Sequence, residues 1–201
     1  MEVLIVGRTR MAGNARCIGG IASDGTSIRL LRADGLQWDA SIDFQVGQVW
    51  DLTYTVAPNR VPPHLEDVVV TGGRHLRDLS DVSRRLCEGI QPWRGGVDQL
   101  FDGLVRFTGN DNGYICHRVG VPTRSTWFWV PDRDLVLRSD GRHYDYPVGV
   151  GMSRGLAYVG EPPAPARLPA GTLTRVSLAR WWSPEDTDVE ERCYVQLSGW
   201  F

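Results

Sequence analysis

The sequence predicts a mostly β protein in which two small barrels flank a short helical segment. Three observations lead to this prediction. Both halves of the chain contain short segments rich in strand-forming residues, and turn signals follow these segments at close spacing. In the middle of the chain the apolar residues recur at helical spacing. A motif of the first half, IRLLRADG, has a similar counterpart, DLVLRSDG, in the second half.

The first half of the chain is predicted to be a succession of strands. VLIVGRT is a short apolar strand, and ARCIGGIA and SIRLLRA are two more, joined at Asp24-Gly25, a strong hairpin signal. VGQVWDLTYTV follows as a strand because Val49, Leu52 and Tyr54 favour extended backbone. PNRVPPH is expected to be a loop, since its prolines cannot donate to a ladder. EDVVVTG is the last strand of this half.

The middle of the chain is predicted to form two short helices. In LSDVSRRLCEGI, Leu79, Val82, Leu86 and Ile90 recur at helical spacing, and Ser80 is a suitable N-cap. In VDQLFDGLVRF the apolar residues recur at i, i+3, i+4, i+7 and i+8. PWRGG separates the two segments, so we expect a small helical connector.

The second half of the chain returns to short strands. STWFWVP, DLVLRSD, RHYDYPV and GLAYVG are candidates, and a Pro-rich connector, EPPAPARLPAG, follows them. LTRVSLARWW and RCYVQLSGWF should then pair as the closing strands. Because side chains alternate along a strand, Cys193, Val195 and Leu197 should form a core face. The same alternation points Trp181 and Trp182 in opposite directions, so at least one of them should be structural.

The repeated motif suggests that the two halves are built alike. It pairs Leu31–Gly35 with Leu137–Gly141, and a looser match pairs VGQVWDLTY with AGTLTRVSL, where Gly47 corresponds to Gly171. A partly open five-stranded Greek-key barrel is the OB-fold. We therefore predict two OB-like five-stranded barrels packed in tandem. The predicted units are a first barrel over 1–74, a helical connector over 75–109 and a second barrel over 110–201.

Composition excludes several classes of protein. The 201 residues carry a net charge of −2, so the chain lacks the global basic field of a non-specific nucleic-acid binder. All 22 basic residues are arginines, whose guanidinium groups are planar, bidentate donors. No apolar run approaches the roughly 18 residues of a membrane helix, and the N-terminal residues lack the pattern of a signal peptide. We therefore expect a cytoplasmic protein that does not contact a membrane.

Metal and cofactor sites are not expected. The 4 cysteines are far apart and form no CxxC pair, which argues against a zinc ribbon and a disulfide framework. Cys116-His117 is a lone pair of metal-ligating residues, whereas a tetrahedral site needs four ligands. The acidic stretch SPEDTDVEE, with Asp186 and Asp188, could hold a divalent cation, but a solvated hairpin tip is the favoured interpretation.

Four stretches of the chain resemble a known family. VGQVWDLTY, PPHLEDVVV, SLARWW and RCYVQLSGWF are similar to the dual OB-containing domain of bacteria, over nearly the whole chain. The resemblance implies two OB-like barrels and a link to prokaryotic conflict systems that sense or attack foreign nucleic acid. It supplies no catalytic residues, so for function it implies only an association.

Aromatic and arginine side chains are the candidate ligand contacts. Trp127 and Trp129 share one face of a predicted strand and would form a stacking platform for bases. Arg32 and Arg138, at equivalent places in the repeated motif, could each bind a phosphate bidentately. For each candidate the alternative is packing in the core or between the barrels, or an exposed strand end. The candidate ligand residues are Arg32, Arg124, Trp127, Trp129, Arg138, Tyr144, Arg180, Trp182, Tyr194 and Trp200.

A candidate catalytic group follows the proline pair of PPHLED. His64 could act as a general base oriented by Glu66 or Asp67, although no nucleophile lies nearby in sequence and a hydrogen-bonded turn is the alternative. The leading hypothesis is a recognition module for single-stranded nucleic acid or a nucleotide-like ligand in a bacterial defence or toxin-related system. The alternatives are a scaffold for a partner protein encoded nearby and an enzyme acting on nucleic acid or nucleotides at His64.

Overall fold

The N-terminal half of the chain is a closed five-stranded barrel in the computed structural model, which describes residues 1–185 and 189–201. Its strands are β1 (Glu2–Arg10), β2 (Ala15–Ala22), β3 (Ser27–Leu31), β4 (Trp38–Asp39), β5 (Gln48–Val56) and β6 (Asp67–Asp78). The circuit runs β1-β2-β3-β6-β5 and returns to β1, with β4 paired to β2 outside it. Only β3 and β6 run parallel in this circuit. The predicted OB-like barrel is confirmed here.

The local signals of this half produce the expected turn and core. At the predicted hairpin between β2 and β3, Gly25 has a φ of 85°, which glycine adopts without a Cβ clash. The Thr26 N–H donates to the Asp24 carboxylate at 2.9 Å and closes the turn. The barrel interior contains Val3, Ile5, Ile18, Leu30, Leu52 and Val68. β6 continues to Asp78, past the predicted end of the first unit at residue 74.

The connector begins with one short helix, α1 (Val82–Gly89). Its N-cap is Asp81 rather than the predicted Ser80, because the Asp81 carboxylate accepts a hydrogen bond from the Arg84 N–H at 2.9 Å. Leu86 is the buried residue of this helix and packs in the core between the two barrels. Within residues 1–185 and 189–201, no helix is long and apolar enough to cross a membrane.

The second predicted helix of the connector is an irregular 3₁₀ segment, Val97–Gly103. Phe101 and Asp102 have positive φ angles of 50° and 61°, which interrupt helical backbone. The apolar residues whose spacing predicted a helix are nevertheless core residues: Val97, Leu100 and Phe101 are buried in the C-terminal half. Tertiary burial of these side chains therefore outweighed the helical period.

The C-terminal half repeats the strand order of the first barrel. In each half the first strand lies between the second and the fourth, and the third runs parallel to the fifth. Here the first strand is divided by residues 132–134: β10 pairs with β15, and β11 pairs with β12. The strands are β7 (Trp93–Gly95), β8 (Arg106–Phe107), β9 (Gly113–Cys116), β10 (Thr126–Pro131), β11 (Leu135–Leu137), β12 (His143–Gly149), β13 (Met152–Tyr158), β14 (Arg167–Leu168), β15 (Thr174–Leu178) and β16 (Arg192–Trp200).

The two sequence echoes have different outcomes. Gly47 precedes β5 and Gly171 precedes β15, the fourth strands of the two barrels, with φ angles of 95° and 85°. Each donates its N–H to the first strand, Gly47 to Ile5 O and Gly171 to Pro131 O, so this match is structural. The LRADG and LRSDG motifs are not equivalent. The first follows β3, a third strand, whereas the second follows β11, part of a first strand.

The two barrels meet at a seam with an apolar and a hydrogen-bonded part. Its apolar part combines Leu4 and Val6 of β1 with Phe128 and Leu173 of the C-terminal half. Phe201 packs against the same cluster, so the aromatic end of the chain is anchored between the barrels. In the hydrogen-bonded part, the Arg10 N–H donates to Val159 O at 2.9 Å, which joins β1 to the segment after β13.

Candidate functional site

A cavity of about 400 Å³ lies between the two barrels, and we call it the seam cavity. Its N-terminal wall is formed by the end of β1, by β2 and by β3, and its opposite wall by β10, β15 and β16. This volume falls in the usual range of ligand sites, roughly 300–1,000 Å³. The charged and thiol side chains of its lining are Arg10, Cys17, Arg29, Glu66, Arg175 and Arg180.

Arg175 crosses the seam from β15 to the N-terminal barrel. Its guanidinium lies against the backbone of Gly7 and Gly19, which are paired partners on β1 and β2. A Cβ atom at Gly7 would lie 2.9 Å from Arg175 Nη1, so a side chain there would displace the guanidinium. Nη1 donates to Ser198 Oγ at 2.9 Å. Arg175 is 6% exposed, and this burial lowers the pKa of its guanidinium.

Arg29 on β3 supplies a second buried guanidinium. Its Nε donates to the carboxylate of Asp67, whose other oxygen accepts from Arg180 Nη2 at 2.7 Å. Burial raises the pKa of Asp67, but the two guanidiniums outweigh burial and hold this pKa below its usual value. Among the described residues, none accepts a hydrogen bond from Arg29 Nη2, which is buried. A buried donor without an acceptor costs free energy, because the hydrogen bond that it made to water in the unfolded chain is not replaced.

Glu66 is the carboxylate that lines the seam cavity. Its Oε1 accepts a hydrogen bond from the Ser125 hydroxyl, so it links the loop before β6 to the residue before β10. Four arginines line the cavity, whereas two carboxylates lie in or beside it. These are Glu66 in the lining and Asp67, which pairs with Arg29 and Arg180. Because positive charges outnumber negative ones, the potential in the cavity favours an anion.

The architecture and the extent of the paired barrels agree with one protein family. The sequence model of the dual OB-containing domain matches residues 1–200. The chain belongs to this family. No curated protein and no solved structure matches this chain.

The seam cavity of this dual OB-containing chain lies on a particular face of the N-terminal barrel. In OB-folds, oligonucleotides and oligosaccharides bind the face of the second and third strands and the adjoining loops. Here those strands are β2 and β3, which carry Cys17 and Arg29, and the adjoining loops supply Met11 and Glu66. The C-terminal barrel covers this face, so a ligand would contact both barrels at once.

His64 lies in the wall behind the seam cavity. It is 1% exposed, and its Nε2 lies 3.2 Å from Leu178 O. Burial, followed by the charges of Arg29 and Arg180, lowers the pKa of His64 to about 4. Of its predicted acidic partners, Asp67 pairs with arginines and Glu66 bonds to Ser125. The described contacts therefore do not assemble these three residues as a base with an orienting acid.

Metal ligation has no geometric basis in the described part of the chain. Residues 1–185 and 189–201 contain no group of three or more His, Cys, Asp or Glu side chains that could hold a metal ion. The acidic stretch that the sequence raised as a cation site includes Asp186 and Asp188, which lie outside the described residues. Glu190, in the same stretch, pairs with Arg118 at 2.6 Å.

The two tryptophans of the predicted stacking platform, Trp127 and Trp129, have different surroundings in the structure. Trp129 is fully buried in the C-terminal barrel, where its Nε1 donates to Gly95 O at 3.0 Å. Its predicted role in stacking is therefore corrected, because no base can reach a buried ring. Trp127 is half-buried, and the exposed Arg124 guanidinium lies 4.2 Å from its ring centroid. Only Trp127 of this pair has an exposed edge and a cation beside it.

Two further aromatic candidates pack within the C-terminal barrel. Tyr144 is fully buried and donates its hydroxyl to Pro165 O at 2.7 Å, so the prediction that it contacts a ligand is also corrected. Trp200 is half-buried, with its ring centroid 5.3 Å from that of Tyr158. Tyr144 lies on the core face of β12, and Trp200 packs against the same core because an extra residue at Ser198 shifts the alternation of β16 after Leu197.

The two arginines of the repeated motif do not meet. Arg32 is exposed and pairs with Asp34 at 2.7 Å. Arg138 is half-buried and pairs with Asp145 at 2.6 Å on the neighbouring strand. The two arginines lie on different barrels, and each pairs with a carboxylate of its own barrel. The predicted pair of equivalent phosphate contacts is therefore not formed. Of the predicted arginines, Arg180 is the one that lines the seam cavity.

The adjacent tryptophans near the end of the chain have different surroundings. Trp181 stacks on His117 with centroids 4.0 Å apart and donates its Nε1 to Pro62 O at 2.7 Å. Trp182 is 53% exposed. The expectation that at least one of the two is structural is therefore confirmed, although both lie beyond the end of β15.

Trp182 belongs to a surface cluster that we call the outer patch: Tyr114, Trp182, Arg192 and Tyr194. The Trp182 and Tyr194 centroids are 6.1 Å apart, and those of Tyr114 and Tyr194 are 6.4 Å apart. The Arg192 guanidinium lies 4.2 Å from the Tyr114 ring centroid. The predicted candidates Trp182 and Tyr194 thus share one surface of the molecule, apart from the lining of the seam cavity.

Sequence reasoning missed the buried arginines at the centre of the site. Arg29 and Arg175 lie within the apolar strands SIRLL and TRVSL, where alternation alone would assign them to a solvent face. One signal was available: Gly7 and Gly19 leave open backbone inside two apolar strands. Glycine in a strand interior often marks the close approach of another group, here the Arg175 guanidinium.

Proposed function

We propose that this chain is a recognition module that binds single-stranded nucleic acid or a nucleotide-like ligand through a phosphate in the seam cavity. The observation that carries the proposal is Arg29, which lines the cavity beside β2 and β3 and whose buried Nη2 has no hydrogen-bond acceptor among the described residues. A phosphate supplies several strong acceptor oxygens. Its charge would offset the excess of guanidinium groups around the cavity.

The charge distribution supports a local rather than a general attraction for phosphate. The whole chain has a net charge of −2, so its binding must depend on a few arginines in one place. Arg175 and Arg29 are held rigidly by burial, which reduces the entropy lost when they bind a ligand. The bacterial defence or toxin-related setting is part of this proposal, and its support is the association that the family resemblance implies.

The test uses the Arg175→Met variant. We expect the unaltered protein to bind fluorescently labelled single-stranded oligonucleotides at low salt, or to be stabilised by mononucleotides or ADP-ribose in a thermal-shift assay. Removal of one of the guanidinium groups that line the cavity should weaken binding roughly 10- to 100-fold in the variant. Arg84→Met is the matched control, because Arg84 lies exposed on α1 and pairs with Glu88. Absence of binding by the unaltered protein to every probe would overturn the proposal.

A second candidate function is the interaction scaffold, and the outer patch favours it. An exposed tryptophan beside tyrosines and an arginine is the composition of an interface hot spot. A partner protein at this patch would cover Trp182, whereas a ligand in the seam cavity would leave it exposed. Co-purification with a neighbouring gene product that is lost in Trp182→Ala and kept in Arg175→Met would favour the scaffold.

A further inference from the structure

A second groove lies on the C-terminal barrel beside the seam cavity. Its volume is about 660 Å³, and its lining includes the loop 140–142, the start of β12 at His143 and the end of β13 at Ala157 and Tyr158, the second and third strands of that barrel. We call it the distal groove. Its polar lining includes Asp140, Arg142 and His143. The strands that form a ligand face in an OB-fold therefore line a cavity in each barrel.

The seam cavity and the distal groove share one boundary. Arg10, Met11 and Val159 line both of them. Arg10 and Met11 are exposed, so this boundary is an accessible lip rather than a closed wall. The Arg10 guanidinium lies 5.8 Å from the Tyr158 ring centroid, on the distal side of the lip. A cation therefore stands where a chain passing between the two cavities would cross.

The charges of the distal groove also suit a phosphate backbone. Arg142 is exposed there, and His143 is half-buried beside it. Among the described residues that line the groove, the only carboxylate is that of Asp140, which faces His143 Nδ1 at 2.7 Å and accepts from the Arg142 N–H at 2.7 Å. These hydrogen bonds hold the pKa of Asp140 at about 2. The Asp140 carboxylate is thus occupied within its own loop.

The opposite end of the seam cavity is less suitable for a continuing polyanion. A third cavity beside Arg124 and Trp127 also adjoins it, with Glu66 and Thr126 in both linings. The hydrogen bond between Ser125 and Glu66 stands at this junction. The third cavity also contains Arg60 and Arg124, but its junction with the seam cavity carries the Glu66 carboxylate, which repels a phosphate, whereas the lip carries Arg10, which attracts one.

We propose that the seam cavity and the distal groove form one track, along which a single-stranded nucleic acid several nucleotides long crosses both barrels. The inference rests on the proposed function of the seam cavity and specifies its ligand: a mononucleotide would fill only the seam, whereas an oligonucleotide would pass over Arg10 to Arg142. One OB-fold typically covers about 4–16 nucleotides. The two adjoining faces give the polymer a contact surface that a single nucleotide does not use.

The experiment measures affinity against oligonucleotide length in the full chain and in Arg142→Ala. The probes are oligothymidylates and oligouridylates from a dinucleotide to about 16 nucleotides, titrated at several salt concentrations. We expect affinity to rise with length in the unaltered protein. In Arg142→Ala, long probes should bind roughly two- to fivefold more weakly, and the slope of log K against log salt should shrink by about 0.7. The dinucleotide should bind both proteins equally.

The control is Arg133→Ala, an exposed arginine of the same barrel whose Nη1 donates to Pro147 O at 2.9 Å. It should leave both the affinity and the salt slope unchanged. If the dinucleotide binds but long probes gain no affinity and Arg142→Ala has no effect, the track is wrong and the proposed function stands. If no probe binds the unaltered protein, both fail.

Discussion

Two buried arginines, Arg8 on β1 and Arg29 in the lining of the seam cavity, differ in how many of their donors have an acceptor within the protein. Arg8 on β1 donates to the Glu161 carboxylate, to Ala40 O and Ile42 O at 2.6 Å, and to Phe44 O at 2.9 Å. In the seam cavity, Arg29 leaves Nη2 without an acceptor among the described residues. Arg8 therefore acts as a structural cross-link, whereas Arg29 keeps one donor that no described residue satisfies.

The largest expected effect is on the structural side of this comparison. Arg8→Met should lower the free energy of unfolding by about 3–5 kcal/mol, because it removes one partner of a largely buried ion pair and leaves three carbonyls without their donor. Denaturant unfolding followed by circular dichroism measures this change. Arg133→Met, at an exposed position, is the control. A loss below about 1 kcal/mol would remove the distinction between the two buried arginines.

The next effect concerns His64, whose folded pKa of about 4 is lower than the ordinary value of 6.5. Between these values the unfolded chain binds the proton and the folded chain does not, so stability should fall as pH falls. The loss attributable to His64 should be about 3 kcal/mol between pH 7 and pH 4. The contribution of His64 is obtained by comparing the free energies of unfolding of the unaltered protein and of His64→Leu across this pH range. If the two profiles run parallel, the pKa of His64 is not lowered in the folded chain.

The smallest effect on stability is expected at Arg175. Burial lowers the pKa of this guanidinium, which shows that its charge is held at a cost. Replacing a buried charge by an apolar side chain of similar volume is often neutral or stabilising. We therefore expect the free energy of unfolding of Arg175→Met to lie within about 1 kcal/mol of that of the unaltered protein, or to exceed it. A destabilisation as large as that of Arg8→Met would mean that Arg175 serves mainly to join the barrels.

Much of the fold was accessible from local sequence patterns. The turn at Asp24-Gly25 and the core face of Cys193, Val195 and Leu197 depend on backbone preference and alternation, and both are present. Gly47 and Gly171 mark equivalent places in the two barrels because each precedes a fourth strand and has a positive φ. The 3₁₀ segment was not predictable, because core burial of Phe101 outweighed the helical period of its neighbours.

The candidate site was much less accessible than the fold. Alternation assigns Trp127 and Trp129 to one face, yet the barrel core buries Trp129 while Arg124 lies over Trp127. Arg180 was among the predicted ligand residues, but Arg29 and Arg175 were not. Whether an arginine in an apolar strand points to solvent or into a seam depends on what packs against that strand.

The sequence by itself determined two similar β units, their turns and core faces, and an all-arginine set of cations. These properties follow from local backbone preference and from the alternation of side chains, which act within a few residues. Only the tertiary structure decided that the β2–β3 face would be covered by the second barrel and would enclose Arg29 and Arg175. That outcome depends on how two folded surfaces pack, because the contacts across the seam join residues far apart in the chain, such as Gly7 and Arg175.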